Sequence, residues 1–138
     1  MLDKGVKNEK IKHIDDKVTI RNISIFYNLA NLYNFSSLAE TTLNYIQRCY
    51  TMVVKTQSFL ELSFKQVAKI FSSSELNIHS EIEVFNAAIN WLKHKNEERS
   101  KYAKQLLLTV RFHLFSDCEL NCVLNNTSSF IEKMIFIM

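Results

Sequence analysis

Cys118 and Cys122 are separated by three residues, which sets two thiols one helical turn apart, and His113 lies five residues upstream of the pair. By type and spacing this is the beginning of a metal site, because zinc takes thiolate and imidazole ligands. A structural zinc needs four ligands, however, and no fourth strong donor stands nearby. Free cysteine is among the most buried residue types, so the favoured reading is two small apolar side chains packed on the helix after Ser116. His13, His79 and His94 stand apart from one another beside polar residues. They read as surface histidines rather than as ligands or bases. A catalytic site also needs a nucleophile, a base and a group that stabilises developing charge. No Gly-rich phosphate loop, Gly-x-Ser-x-Gly elbow or His-Glu-x-x-His pair occurs, and Gly5 is the single glycine. The chain is read as non-catalytic, with no cofactor and no metal.

Phosphate binding is the next chemistry to weigh. Lys93, His94, Lys95, Arg99, Lys101 and Lys104 make one region locally basic, but Glu97 and Glu98 sit among them and the formal net charge is only +3. A nucleic-acid footprint is usually one-sided, with base-reading or stacking groups on the same face. A solvated helical face is the better account of these cations. Trp91 and Phe85 fall on apolar stripes and read as core rather than as a stacking platform. A small basic helical domain that contacts RNA or DNA is kept as the alternative.

The elements that must position these residues follow from composition and periodicity. At 138 residues the chain is sized for one domain, and one Gly with no Pro leaves little material for hairpin turns. The spacing predicts an all-α stack of short antiparallel helical hairpins. Residues 1–17 are a charged lead-in, 18–126 a helical domain and 127–138 an apolar tail. From about Thr19, Ile20, Ile23, Phe26 or Tyr27, Ala30 and Tyr33 recur every three to four residues and share a face. Asn34-Phe-Ser-Ser then interrupts. A Ser three residues before Glu or Gln recurs at Ser37/Glu40, Ser63/Gln66, Ser80/Glu83, Ser116/Glu119 and Ser129/Glu132, the pattern of a reciprocal capping box. Between the caps lie a stripe of Leu38, Thr42, Tyr45, Ile46 and Cys49 and a short helix over Val53–Glu61. Further stripes are Phe64, Val67, Ile70 and Phe71, then Val84, Phe85, Ala88, Ile89 and Leu92, then Tyr102, Leu106, Leu107 and Val110.

No apolar run approaches the roughly 20 residues of a membrane span, and MLDKGVKNEKIK is too charged for a signal peptide. Three cysteines in a chain this apolar suggest reduced thiols rather than a disulfide framework. The expected location is the cytoplasm or the nucleus. The sequons at Asn22, Asn34, Asn125 and Asn126 are then chance matches.

The order of landmarks carries a resemblance. Phe59-Leu60-Glu61-Leu62-Ser63, Leu76-Asn77-Ile78 with Ser80-Glu81, Val84-Phe85-x-x-Ala88-x-x-Trp91 and Val110-Arg111 are together similar to the BACK domain of BTB-Kelch proteins. The likeness runs from roughly His13 to Phe130. It implies a helical module between a BTB domain and a Kelch propeller, in proteins that mostly act as substrate adaptors of Cullin-3 RING ubiquitin ligases. The module would set the distance and angle between its neighbours. The partners implied are the BTB and Kelch domains of a parent protein and Cullin-3, with no membrane. A scaffold with cytoskeletal or transcriptional duties is a further reading.

Residues His13 to Tyr33 resemble the second of two helices that follow the BTB fold and, in cullin-binding members, line a groove for the cullin. The resemblance thus places a cullin contact at Ile20, Ile23, Phe26 or Tyr27, whereas their stripe spacing gives the same residues a packing role in the first hairpin. The other end departs from the family pattern. Phe130-Ile-Glu-Lys-Met-Ile-Phe-Ile-Met138 is followed by no Kelch repeat, so the sequence reads as a fragment or truncated product. Its last residues, Met134 to Met138, have the β-propensity of an aggregation-prone segment.

Overall fold

A computed structural model describes residues 18–125 and shows helices, with no strand among the described residues. The lead-in, His13, the tail and the Ser129/Glu132 pair lie outside that range. Helix α1 (Ile23–Leu32) and helix α2 (Ser36–Arg48) form the first hairpin. The turn between them is a Schellman closure: Phe35 donates to the Ala30 carbonyl at 2.9 Å and Asn34 to that of Asn31 at 3.3 Å. Asn34 takes φ 59° to make it, a left-handed conformation that asparagine tolerates better than most residues. This closure overrides the expected Ser37/Glu40 box. Helix α2 starts at Ser36 with Phe35 as its cap and no side-chain cap bond, so Ser37 is already inside the first turn.

The single short helix expected over Val53–Glu61 is two. Helix α3 (Tyr50–Val53) is split from α4 (Gln57–Leu60) by Thr56, whose hydroxyl accepts from the Phe59 amide at 3.3 Å. Helix α5 (Phe64–Phe71) opens on the expected box: Gln66 donates its amide to Ser63 Oγ, and Ser63 donates its own to Gln66 Oε1. A linker then crosses back over α2. Asn77 donates from its backbone to the Gln47 carbonyl at 2.9 Å and from its side chain to that of Arg48 at 3.1 Å.

Helix α6 (Ile82–His94) is the central element, with Val84, Phe85, Ala87, Ala88, Ile89, Trp91 and Leu92 all buried. Its cap forms only half of a box. Glu83 accepts from the amides of His79 and Ser80, but Ser80 Oγ accepts from Ile82 and donates to Glu119 instead. The next segment is more broken than its stripe suggests: α7 (Asn96–Arg99), a 3₁₀ turn (Ser100–Tyr102), α8 (Ala103–Leu107) and a second 3₁₀ turn (Phe112–Leu114). Phe112 and Phe115 close that end edge-on against Phe85, at 5.8 and 6.3 Å between centroids. Residues 117–125, at the end of the described range, are helical (α9), and their Ser116/Glu119 box is complete in both directions.

One core runs through these layers, from Ile23, Tyr27 and Ile46 through Phe59, Val67 and Phe71 to Trp91, Leu92 and Leu106. Trp91 is 1% exposed and donates its indole N–H to the Leu62 carbonyl at 2.9 Å. Replacing Trp91 by Ala should cost about 3–5 kcal/mol, read by urea or thermal unfolding. An unchanged midpoint would remove Trp91 from the core.

Candidate interaction site

Three members of the basic region, His94, Lys95 and Arg99, are engaged within the fold. Arg99 is not a solvated cation: it is 6% exposed, and its guanidinium carbon lies 3.9 Å from the centroid of the Trp91 ring. One terminal nitrogen donates to the Trp91 carbonyl and the other to that of Leu60, both at 2.7 Å. Those carbonyls belong to the last turns of α6 and α4, where no helical partner exists for them. Burial lowers the Arg99 pKa from its ordinary value, and the charges of Glu61 and Glu98 act against the shift.

His94 is not isolated either. Its Nε2 donates to Glu61 Oε1 at 3.0 Å, and Lys95 Nζ meets Glu61 Oε2 at 3.1 Å. Gln57 adds a third donor at 3.1 Å. Bonds from His94 first and Lys95 next hold the Glu61 carboxyl down at about 2. The Phe-Leu-Glu-Leu-Ser landmark is thus a junction: Leu60 binds Arg99, Glu61 binds the end of α6, Leu62 binds Trp91 and Ser63 caps α5. A groove of about 470 Å³ runs beside it, flanked by Lys101 and by Phe64 and Tyr102, whose rings stack at 4.4 Å.

A second polar junction ties the far end. Glu81 is buried and accepts from the Arg111 amide at 3.1 Å, while the Arg111 guanidinium donates to the Ser72 carbonyl at 3.0 Å. The Glu81 and Val-Arg landmarks therefore meet, and they join the end of α5 to the start of α6.

Helix α1 and the turn that leads into it hold the four residues expected at a cullin groove, and the fold separates them. Ile23 and Tyr27 are each 1% exposed and belong to the core; Ile20 and Phe26 are half-buried. Tyr33, expected on the packed face, is exposed. The same helix carries a second apolar stripe that faces away from the core: Ile25 is 52% exposed, Leu29 40% and Leu32 66%. Tyr33 and Phe35 extend it past the helix end. The signal was available in ISIFYNLANL, which has no charged residue and a second i, i+4, i+7 set at Ile25, Leu29 and Leu32. Reading for one buried stripe passes over it.

The cysteines also depart from expectation. Cys118 and Cys122 are free and exposed, and Cys49 is half-buried. Val123 and the partly covered Glu119 are the residues that turn α9 toward the body, so the two thiols stand on its flank. His113 is exposed, and no group of three or more His, Cys, Asp or Glu side chains among the described residues could hold a metal ion.

The profile of the family described as "BACK: BTB And C-terminal Kelch" matches residues 24–125. The chain belongs to the BACK family. Kelch repeat and BTB domain-containing protein 3 of Homo sapiens is 30% identical over 132 residues, which is 96% of this chain and 21% of that protein. Kelch-like protein 17 of Homo sapiens is 30% identical over 112 residues, 81% of this chain and 17% of that protein. Kelch-like protein 7 of Rattus norvegicus is 31% identical over 111 residues, 80% of this chain and 19% of that protein. The chain spans about a fifth of the length of these curated relatives. The matched range begins within α1 and ends with α9, so both junctions and the outward stripe belong to the BACK domain.

Because the folded pKa of Glu61 is depressed, from 4.5 to about 2, its pairing stabilises this BACK domain above about pH 4.5 and is lost as pH falls through about 2. The stability gap between the native chain and Glu61→Gln should therefore narrow between those values in a pH series of urea titrations. A gap that stays constant would mean that the carboxylate charge takes no part.

Proposed function

We propose that this BACK domain is a non-catalytic interaction and spacer module of a BTB-Kelch-type substrate adaptor of a Cullin-3 RING ubiquitin ligase. The observation that carries the reading is α1, apolar on two opposite sides. Its inner side is the core at Ile23, Tyr27 and Ala30; its outer side is the exposed stripe of Ile25, Leu29 and Leu32. A helix that is apolar all round is one that gets buried on both sides. On this reading the stripe is the face on which a BTB-side segment of the parent protein packs, and the two polar junctions keep the module rigid between its neighbours. The name of Kelch repeat and BTB domain-containing protein 3 supports it, since it pairs Kelch repeats with a BTB domain. The cullin contact is assigned to Phe26 and Ile20, the half-buried members of the expected set. Ile23 and Tyr27 support that surface from beneath.

The nucleic-acid alternative is left with fewer cations, since Arg99 is buried against Trp91 and Lys95 is paired with Glu61. No helix among the described residues is long and apolar enough to cross a membrane. The proposed place of action is the cytoplasm or the nucleus, where such ligases work.

Calorimetric titration of the folded chain with the N-terminal domain of Cullin-3 tests the contact. Saturable micromolar or tighter binding is expected, with loss on Phe26→Asp in a variant whose unfolding remains cooperative. No saturable heat from a cooperatively folded sample would contradict the cullin contact.

A further inference from the structure

Helix α9 presents chemistry that an interaction module does not use. Cys118 and Cys122 are four residues apart on one helix, both free and both exposed. Side chains at that spacing share a face, with Cβ atoms about 5–6 Å apart. The helix that carries them is fixed at its start. The Ser116 amide donates to Glu119 Oε1 at 2.9 Å, the Glu119 amide donates back to Ser116 Oγ at 3.1 Å, and the Ser80 hydroxyl holds the same carboxylate from α6's side. Val123 anchors the next turn in the core. The two thiols are therefore displayed on a held frame rather than on a loose end.

The donors among the described residues say which ion the pair suits. A tetrahedral zinc centre needs four donors, and none of the described residues completes even a trio with these cysteines. Of the two carboxylates that flank Cys118, Glu119 is committed to Ser116 and Ser80, and Asp117 forms no trio with the cysteines. Thiolate ligands select Cu(I), zinc and iron–sulfur clusters, and of these Cu(I) is the ion that accepts two thiolates as its whole coordination. We propose that Cys118 and Cys122 form a two-thiolate site for Cu(I) on the flank of α9. Binding forms two Cu–S bonds and releases both thiol protons, so the loaded site carries one net negative charge. The copper enters and stays as Cu(I), and no electron is transferred.

The test is competition for Cu(I) between the reduced chain and the coloured chelator bathocuproine disulfonate under anaerobic conditions. One Cu(I) per chain is expected. Cys118→Ser and Cys122→Ser should each weaken binding by at least the roughly 10–100-fold that loss of an outer-shell partner costs a metal site. Cys49→Ser, on a different element, should leave affinity unchanged, and the loaded chain should remain the same size on gel filtration. Both α9 positions are exposed, so the serine variants should keep their helical circular dichroism. Wild-type affinity in either single α9 variant, dependence on Cys49, or copper-driven dimerisation would each overturn the assignment.

Discussion

The packing of this domain turns on a buried cation. A guanidinium removed from water costs several kcal/mol unless its donors are met. Arg99 meets that cost with the open carbonyls of two helix ends and the face of an indole, at 2.7, 2.7 and 3.9 Å. Carbonyls in a last helical turn carry partial negative charge, which makes them suited partners. The arrangement is closed by Trp91, which supplies one of those carbonyls and the ring, and reaches the other side of the same junction through Leu62. Helices α4, α5, α6 and α7 are thereby set relative to one another by one polar node inside an apolar core.

That node explains why the segment from Phe59 to Ser63 carries so specific a series of residues. Glu61 and Leu62 bond to the end of α6 and to Trp91 within it, Ser63 caps α5, and Glu81 with Arg111 repeats the device at the opposite end of α6. A stack of short helices held only by apolar contact could shear, because ridges and grooves admit neighbouring registers. Two hydrogen-bonded junctions on one central helix remove that freedom. A fixed geometry is what the proposed spacer role requires, and the outward stripe of α1 offers a place for that geometry to be passed on.

Much of this was legible in the chain. The stripe of α6, the caps at Ser63 and Ser116 and the position of Trp91 follow from spacing alone, since burial and periodicity act locally. What escaped depended on partners distant in sequence. Ser37 was displaced from its cap by a turn closing on Ala30, and Thr56 split a helix by a cap without the Glu or Gln that marks a box. Arg99 and His94 looked like members of a solvated basic face because Leu60 and Glu61, more than thirty residues away, give no local sign. For Cys118 and Cys122 the prior for buried cysteine misled: α9 packs through Val123 and leaves its flank open. The family resemblance was readable because several of its landmarks, Leu60 to Ser63, Trp91, Glu81 and Arg111, are residues of the two junctions.

The most direct test of the central node is a double-mutant cycle on Trp91→Phe and Arg99→Met, measured by equilibrium unfolding in urea. If the indole and the guanidinium act as one unit, the cycle should give a coupling energy within the roughly 0.5–3 kcal/mol found for residues in one network. Additivity within about 0.3 kcal/mol, the behaviour of independent sites, would contradict the clamp.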